Sequence, residues 1–466
     1  KQAASKMNDI AGDGTTTVTV LTYHILNEAN KLIAAGHNPM QLRKGLEEAT
    51  REVLVGLEKL REDIAGDSKR VAEVATISAG DAAIGELIAG VIAKVGKDGV
   101  VTVEEGQGLA MESEVVEGFT FDRGFVSPYM VTDTSRMEAV YDKPLILITD
   151  KKISSVQEFL PILEKVAQTG KKDLVIIAED IEGEALGTLI LNRLKGVFNT
   201  IAIKAPAFGD RRKEVLQDIA VLTGGQVISE EQGFTFENAD VAMLGTARRV
   251  IVDKDNTTII EGGGSQAALK ERISQITAQG SNASSEYEKE NFDKRRAALD
   301  GKVAVIKVGG ATETEIEEKK FRVDDAVAAV KAALDEGIVS GGGVTLVNLA
   351  SSISGDDAGK SLLKNALVQP FVQLMENAGL NAQALLAQVQ SAKPGQGVNV
   401  NTPEAGLADM KKSGVVDPAR VTKEAILNAS SIAGTAMTMG ALVVDIPEKA
   451  APAPAGGGMD PSMMGM

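Results

Sequence analysis

At 466 residues the chain is too long for one compact core, and two to four domains are expected. A net charge of −16 and 3% aromatic content exclude a sequence-blind nucleic-acid binder, which needs a basic surface and stacking platforms. The absence of cysteine removes disulfides, thiolate nucleophiles and zinc-thiolate sites, so any chemistry must rest on carboxylates, backbone amides and a metal.

Hydrophobic residues make up 44% of the chain, ample for burial, and no apolar run reaches membrane-spanning length. The chain opens at Lys1 with a polar, helix-like run that carries no signal peptide, which reads as a missing N-terminal segment. Next comes "NDIAGDGTTTVTVLTYHIL", Asn8 to Leu26. Val18, Leu21, Ile25 and Leu32 lay one apolar stripe on a helix. The run before it supplies that helix's N-terminus, where unpaired N–H groups attract anions. Gly12 and Gly14 let backbone approach a ligand, and Asp13 between them suits a cation accompanying phosphate. Taken alone, so short a run reads more readily as a capped helix start with no ligand. The two histidines, His24 in this helix and His37 beyond its Gly36 stop, read as structural or solvated.

Residues 1–60 therefore predict two helices joined at "AAGHNPM", with Asn38 and Pro39 starting the second. A further helix follows Asp81, carries Ile84, Leu87, Ile88, Val91 and Val95 on one side, and stops at Gly96. "KDGVVTVEEG" then turns into a strand. From about Glu117, "LILITD", "DLVIIAED" and "TIAIKAPA" have the continuous apolar texture of strands covered on both faces. Helices at Ile153–Gln168, Gly183–Lys195 and Asp210–Leu222 separate them, a βαβ pattern with a largely parallel sheet. "RRVIVDKDNTTIIEGG" predicts a hairpin, and "SSEYEKENFDKRRAALDG" a helix whose charges form a solvated face. After "KVAVIKVGG" the chain returns to helices until "ALVVDIP", and residues 448–466 read as a disordered Gly/Met tail.

Two of these helices break the amphipathic rule. Ile153, Val156, Leu160 and Leu163 form one stripe, which Phe159, Ile162 and Val166 widen. Leu186, Leu189, Ile190, Leu191 and Leu194 do the same on the next. Such helices are either buried all round or expose a strip that binds apolar segments of other proteins. In "KKFRVDDAVAAVKAALDEGIVSGGGV", Val323, Val327, Val330 and Leu334 form a buried stripe. Asp325 lies near the opposite side, open to solvent or ligand.

Taken together, "NDIAGDGTTTVTVL", "DRGFVSPYM", "DKKISSVQEFLPILE", "AEDIEGEAL", "KAPAFGDRRKEVLQDIAVLTGG", "VAVIKVGGATE", "FRVDDA" and "DEGIVSGGGV" resemble a group I chaperonin of the GroEL type, in the family's order, from Lys1 to about Pro447. The resemblance implies a multi-domain α and α/β fold. A mostly helical equatorial ATP-binding domain would combine 1–59 with 336–447. A small α/β intermediate hinge domain would combine 60–116 with 304–335. An α/β apical domain with βαβ units would span 117–303 and bind substrate and co-chaperonin.

The resemblance further implies an ATPase using ATP and Mg2+, with K+ admitted as well. Its partners would be unfolded polypeptides and a GroES-type co-chaperonin, in heptameric rings stacked as a tetradecamer, without nucleic acid or membrane. By the same carry-over, Asp13 is the magnesium ligand, and Gly12, Asp13, Gly14, Thr15, Thr16 and Thr17 cradle the phosphates. Asp325 positions the attacking water, a placement suited to phosphoryl transfer. Gly342, Asn399, Val415 and Asp417 hold the nucleotide, although "GVNVNT" departs from the family's small alanines beside Asn399. Phe125, Tyr129, Met130, Leu160, Leu163, Leu186, Ile190 and Leu191 bind substrate and the lid, while Arg123 and Glu313 form an inter-subunit salt bridge. The expected location is bacterial cytoplasm or an organelle matrix.

In the family an N-terminal segment carries a second phosphate-binding loop, and none of it precedes Lys1. A chain truly starting there would serve as an ATP-independent holdase, and an ordinary phosphohydrolase using Asp13 and Asp325 is the other rival. A group II chaperonin with a built-in lid is disfavoured, because no long helical insertion interrupts the apical motifs.

Overall fold

A computed structural model describes residues 1–441 except 65, 98, 107, 135 and 284. The segment "ALVVDIP" after Ala441 and the tail lie outside the described residues.

Three helices open the chain, α1 (Gln2–Ala11), α2 (Thr15–Ala34) and α3 (Pro39–Leu60). The sequence predicts two here. The first is separate because Gly12, at φ 64°, closes α1 with a bond from its N–H to the Asn8 carbonyl. Gly14, at φ 79°, then starts α2. The Asn38 side chain accepts from the Met40 and Gln41 N–H groups and Pro39 occupies the first turn, which fixes the start of α3. Next come α4 (Ser68–Ala79) and α5 (Ala82–Val95), begun by Asp67 and Asp81 caps, then β1 (Val100–Glu105) and β2 (Glu112–Phe121).

The alternating region follows in chain order as β3 (Ala139–Asp142), β4 (Leu145–Thr149), β5 (Lys152–Ile153), α6 (Val156–Gln168), β6 (Asp173–Ala178), β7 (Asp180–Ile181), α7 (Gly183–Leu194), β8 (Asn199–Lys204), α8 (Asp210–Thr223), β9 (Val227–Ile228), β10 (Gly245–Val252), β11 (Thr257–Gly262), α9 (Gln266–Ser281) and α10 (Glu286–Leu299). The chain then returns through β12 (Lys302–Val308), α11 (Glu313–Glu336), β13 (Ile338–Ser340), α12 (Val344–Ala350), α13 (Ala358–Leu367), α14 (Gln369–Asn377), α15 (Ala382–Ser391), β14 (Gln396–Val398), β15 (Leu407–Asp409), β16 (Val416–Pro418) and α16 (Ala419–Ala436).

One mixed sheet runs β1-β12-β2-β11-β10-β4-β6-β8, with β3 on β10 and β9 on β4. β4, β6 and β8 are parallel, in register Leu145↔Leu174 and Leu174↔Thr200. Their residues are almost all buried, as continuous apolar strands require. β10 and β11 form the predicted antiparallel pair. The fold is multi-domain, α and α/β.

Separate apolar cores organise it. The first is drawn from residues between 119 and 299. The second joins α1–α3 to residues between 332 and 437, and the third joins residues 64–103 to 304–338 with Val416. A fourth lies between residues 344 and 415. The second and third are each built from two distant stretches, so the chain leaves both and comes back.

One expectation fails at α10. Its charges are not all solvated, because the largely buried Arg295 reaches the buried Asp218 (Nε–Oδ2 2.7 Å), which Arg272 also holds at 2.7 Å. A buried carboxylate needs such partners.

Candidate functional site

A cleft of about 400 Å³ forms where the second and fourth cores meet. Asp13, Gly14, Thr16 and Thr17 line it from the start of α2, and Gly342 and Gly343 from the loop before α12. Val415 and Asp417 approach from the loop before β16 and from β16 itself. The last two groups meet because β13 pairs with β16, Val339 opposite Asp417, and the Gly341 N–H donates to the Val415 carbonyl at 2.9 Å. Asn399 enters after β14, beside Asn401, whose N–H donates to its side chain at 3.0 Å.

The α2 end of this cleft is built to face an acceptor. No side chain caps α2, so the N–H groups of Thr15, Thr16 and Thr17 have no capping partner. Asp13 bends back to accept from the Gly14 N–H at 2.5 Å. Gly12 does not line the cleft. It seats the loop on α11, where an added Cβ would lie 2.3 Å from the Ala328 Cβ. Thr15 is likewise off the cleft wall and offers only its backbone N–H, in the first turn of α2.

Three carboxylates share the neighbourhood. Asp417 keeps some accessible surface, but it opens into the cleft and protein crowds it elsewhere. Loss of hydration, with repulsion from Asp13, pushes its pKa up to about 7. Asp325, on α11, keeps part of its surface exposed while protein encloses the rest. Desolvation followed by repulsion from Asp13 pushes it up to about 6. Asp13 is thus the common neighbour of two carboxylates that resist ionising. Among the described residues no three metal-ligating side chains lie close enough to hold an ion unaided. A hard cation that takes one or two carboxylates and completes its shell with phosphate oxygens and water fits this donor set.

The cleft's far end was not anticipated. Gln373 and Asn377 of α14 line it and bond to each other at 2.9 Å. In sequence they are two polar positions on an amphipathic helix, which no signal separates from a solvated face.

A second feature lies on the first core. α7 packs against both α6 and the turn Pro128–Met130. Together they present Tyr129, Leu160 and Leu191, the last 56% exposed. Leu186, Ile190 and Phe125 are partly buried against the core beneath. Two expected members do not belong to the exposed strip. Met130 is fully buried, its sulfur within 3.3 Å of the Ala202 N–H, and Leu163 is 6% exposed, because α6 turns it into the first core. Leu194 and Val197 instead extend the strip past the end of α7. The question of full burial or an exposed strip is answered by a split, with Phe159, Ile162, Val166 and Leu189 inside.

Arg123 and Glu313 are not brought together within the chain. Arg123 stacks over the Phe208 ring at 5.5 Å, and Glu313 is exposed at the first turn of α11.

The chain therefore carries an acidic cleft framed by a helix N-terminus and, elsewhere, an exposed apolar strip on a mixed sheet. This is the layout of a chaperonin. The TCP-1/cpn60 chaperonin family model matches residues 1–447, and the chain belongs to that family. It is a chaperonin involved in protein folding.

Proposed function

We propose that this chaperonin is driven by ATP and is of the group I type, working in a double heptameric ring with a separate GroES-type lid. The observation that carries the reading is the cleft. An uncapped helix N-terminus, Asp13 and Asp417 line a space suited to a nucleotide, with Asp325 close enough to feel the charge of Asp13.

In this reading Thr15–Thr17 give their N–H groups to phosphate oxygens. Asp13 holds Mg2+, with K+ as a further ion, and the metal neutralises charge on the phosphates. Asp325 accepts a hydrogen bond from the attacking water and orients it. Gly342, Val415 and Asp417 wall the nucleotide, and Asn399 meets its base end. Tyr129, Leu160 and Leu191, flanked by Leu186 and Ile190, capture collapsed chains without sequence preference, since apolar burial is non-directional. Arg123 and Glu313 pair between neighbouring subunits. The setting is bacterial cytoplasm or an organelle matrix.

The test is refolding of a denatured client by the purified assembly, with and without ATP, Mg2+ and a GroES-type lid. Recovery that requires all three supports the reading. Suppression of aggregation indifferent to nucleotide replaces it with the holdase.

A further inference from the structure

A second cleft, of about 760 Å³, lies between α11 and the part of the mixed sheet formed by β1, β2, β11, β10 and β3. Two groups of ion pairs span it. At one, Arg136, in the segment before β3, places Nη2 3.0 Å from Asp324 Oδ2 on α11 and 3.3 Å from Glu138 Oε2. At the other, Glu104 of β1, 5% exposed, takes Arg249 at 3.0 Å and Arg248 at 3.3 Å from β10. The Arg136 and Asp324 side chains are only 18% and 22% exposed, so this is no loose surface pair.

Asp324 and Asp325 are consecutive on α11 and answer to opposite neighbours. Asp325 is coupled to Asp13 of the nucleotide loop, whereas Asp324 holds Arg136 in the segment before β3. A rigid helix cannot carry Asp325 towards the cleft without moving Asp324 relative to Arg136. We infer that the Arg136–Asp324 ion pair is a latch that holds the strip-bearing unit against α11 and parts when α11 shifts towards the Asp13 loop.

The surroundings make the latch easy to tip. Glu138, Asp325 and Lys320 also act on Asp324, and Asp133, Asp253 and Lys320 on Glu138. Glu138 therefore competes with Asp324 for the one guanidinium, and a small displacement exchanges one partner for the other. The Glu104 group sits on strands of one continuous sheet and stays intact as the pivot.

What moves α11 rests on the ATP-driven reading, so the latch is tested first without nucleotide. The cysteine-free chain accepts spin labels cleanly. Labels at Ala83→Cys and Lys270→Cys, both exposed, report the distance between α5 and α9 in full assemblies diluted with unlabelled chain. In the parent one distance should dominate. In Arg136→Gln, and separately in Asp324→Asn, the ratio of displaced to latched populations should rise about tenfold, between the values for exposed and fully buried pairs. The exchange Arg136→Asp with Asp324→Arg should restore the parent distribution. Unchanged distributions in both single variants would overturn the latch. If the single variants shift the distance but ATP leaves the parent unchanged, the latch stands and the ATP-driven reading falls.

Discussion

Gly12 lies so close to Ala328 that a Cβ on the glycine would sit 2.3 Å from the alanine Cβ. The contact sets the Asp13 loop directly on α11, one turn beyond Asp325. Gly12→Ala meets two obstacles, the clash and a φ of +64°. Together they should cost about 2–4 kcal/mol and displace the loop. Ala328→Gly in the same chain removes the clash but not the backbone strain. The double variant should therefore recover part of the lost melting temperature and ATP turnover. Turnover in Gly12→Ala equal to the parent's would show that the loop position is immaterial.

Asp325→Ala separates binding from chemistry. The side chain does not line the cleft, so nucleotide affinity measured by titration should change only a few-fold. Turnover should fall by about 10²–10⁴ if the carboxylate orients and activates water. Undiminished turnover would remove Asp325 from the mechanism.

How much of this was legible in the sequence differs by kind of signal. Continuous apolar runs identified β4, β6 and β8, because strands covered on both faces must be apolar throughout. The caps at Asn38 and Asp81 were equally readable. Less was readable where tertiary contact decides. Nothing local tells that Met130 turns inward while adjacent Tyr129 turns out, or that Arg295 leaves its charged face for Asp218. Gln373 and Asn377 entered the cleft only because α14 folds against α2 and α12. The pairing of β13 with β16 is likewise a long-range event, and the role of Asp417 came from family likeness rather than spacing.

Asp417 should make the nucleotide-free protein less stable than it need be. Its pKa is 3.8 ordinarily and about 7 when folded, so between those values the folded state keeps a proton that the unfolded state has lost. This group's stabilising contribution is complete below the lower value and disappears as pH rises through the upper one. Asp417→Asn should thus raise nucleotide-free stability at pH 8 by a few kcal/mol, and by less at pH 5. Denaturant titrations at the two pH values measure this directly. A gain that is the same at both would mean that the aspartate is not held protonated by its site. The same variant should lose the added stability that Mg2+ and nucleotide confer on the parent.

The exposed strip and the core beneath it predict opposite outcomes for two leucines. Leu191 projects from α7 and Leu163 is enclosed beneath α6. Leu191→Ser should alter stability by no more than about 0.5 kcal/mol, the usual effect at an exposed site. It should nevertheless weaken capture of a denatured client, read as lost suppression of aggregation, because the strip depends on apolar area. Leu163→Ser leaves a cavity and buries a hydroxyl, which should cost about 3–5 kcal/mol. The comparison has force because α6 and α7 pack together, so a local structural effect would reach both positions. If Leu163→Ser folds normally and alone abolishes capture, then Leu163 is itself a client contact, and α6 must turn outwards when clients bind.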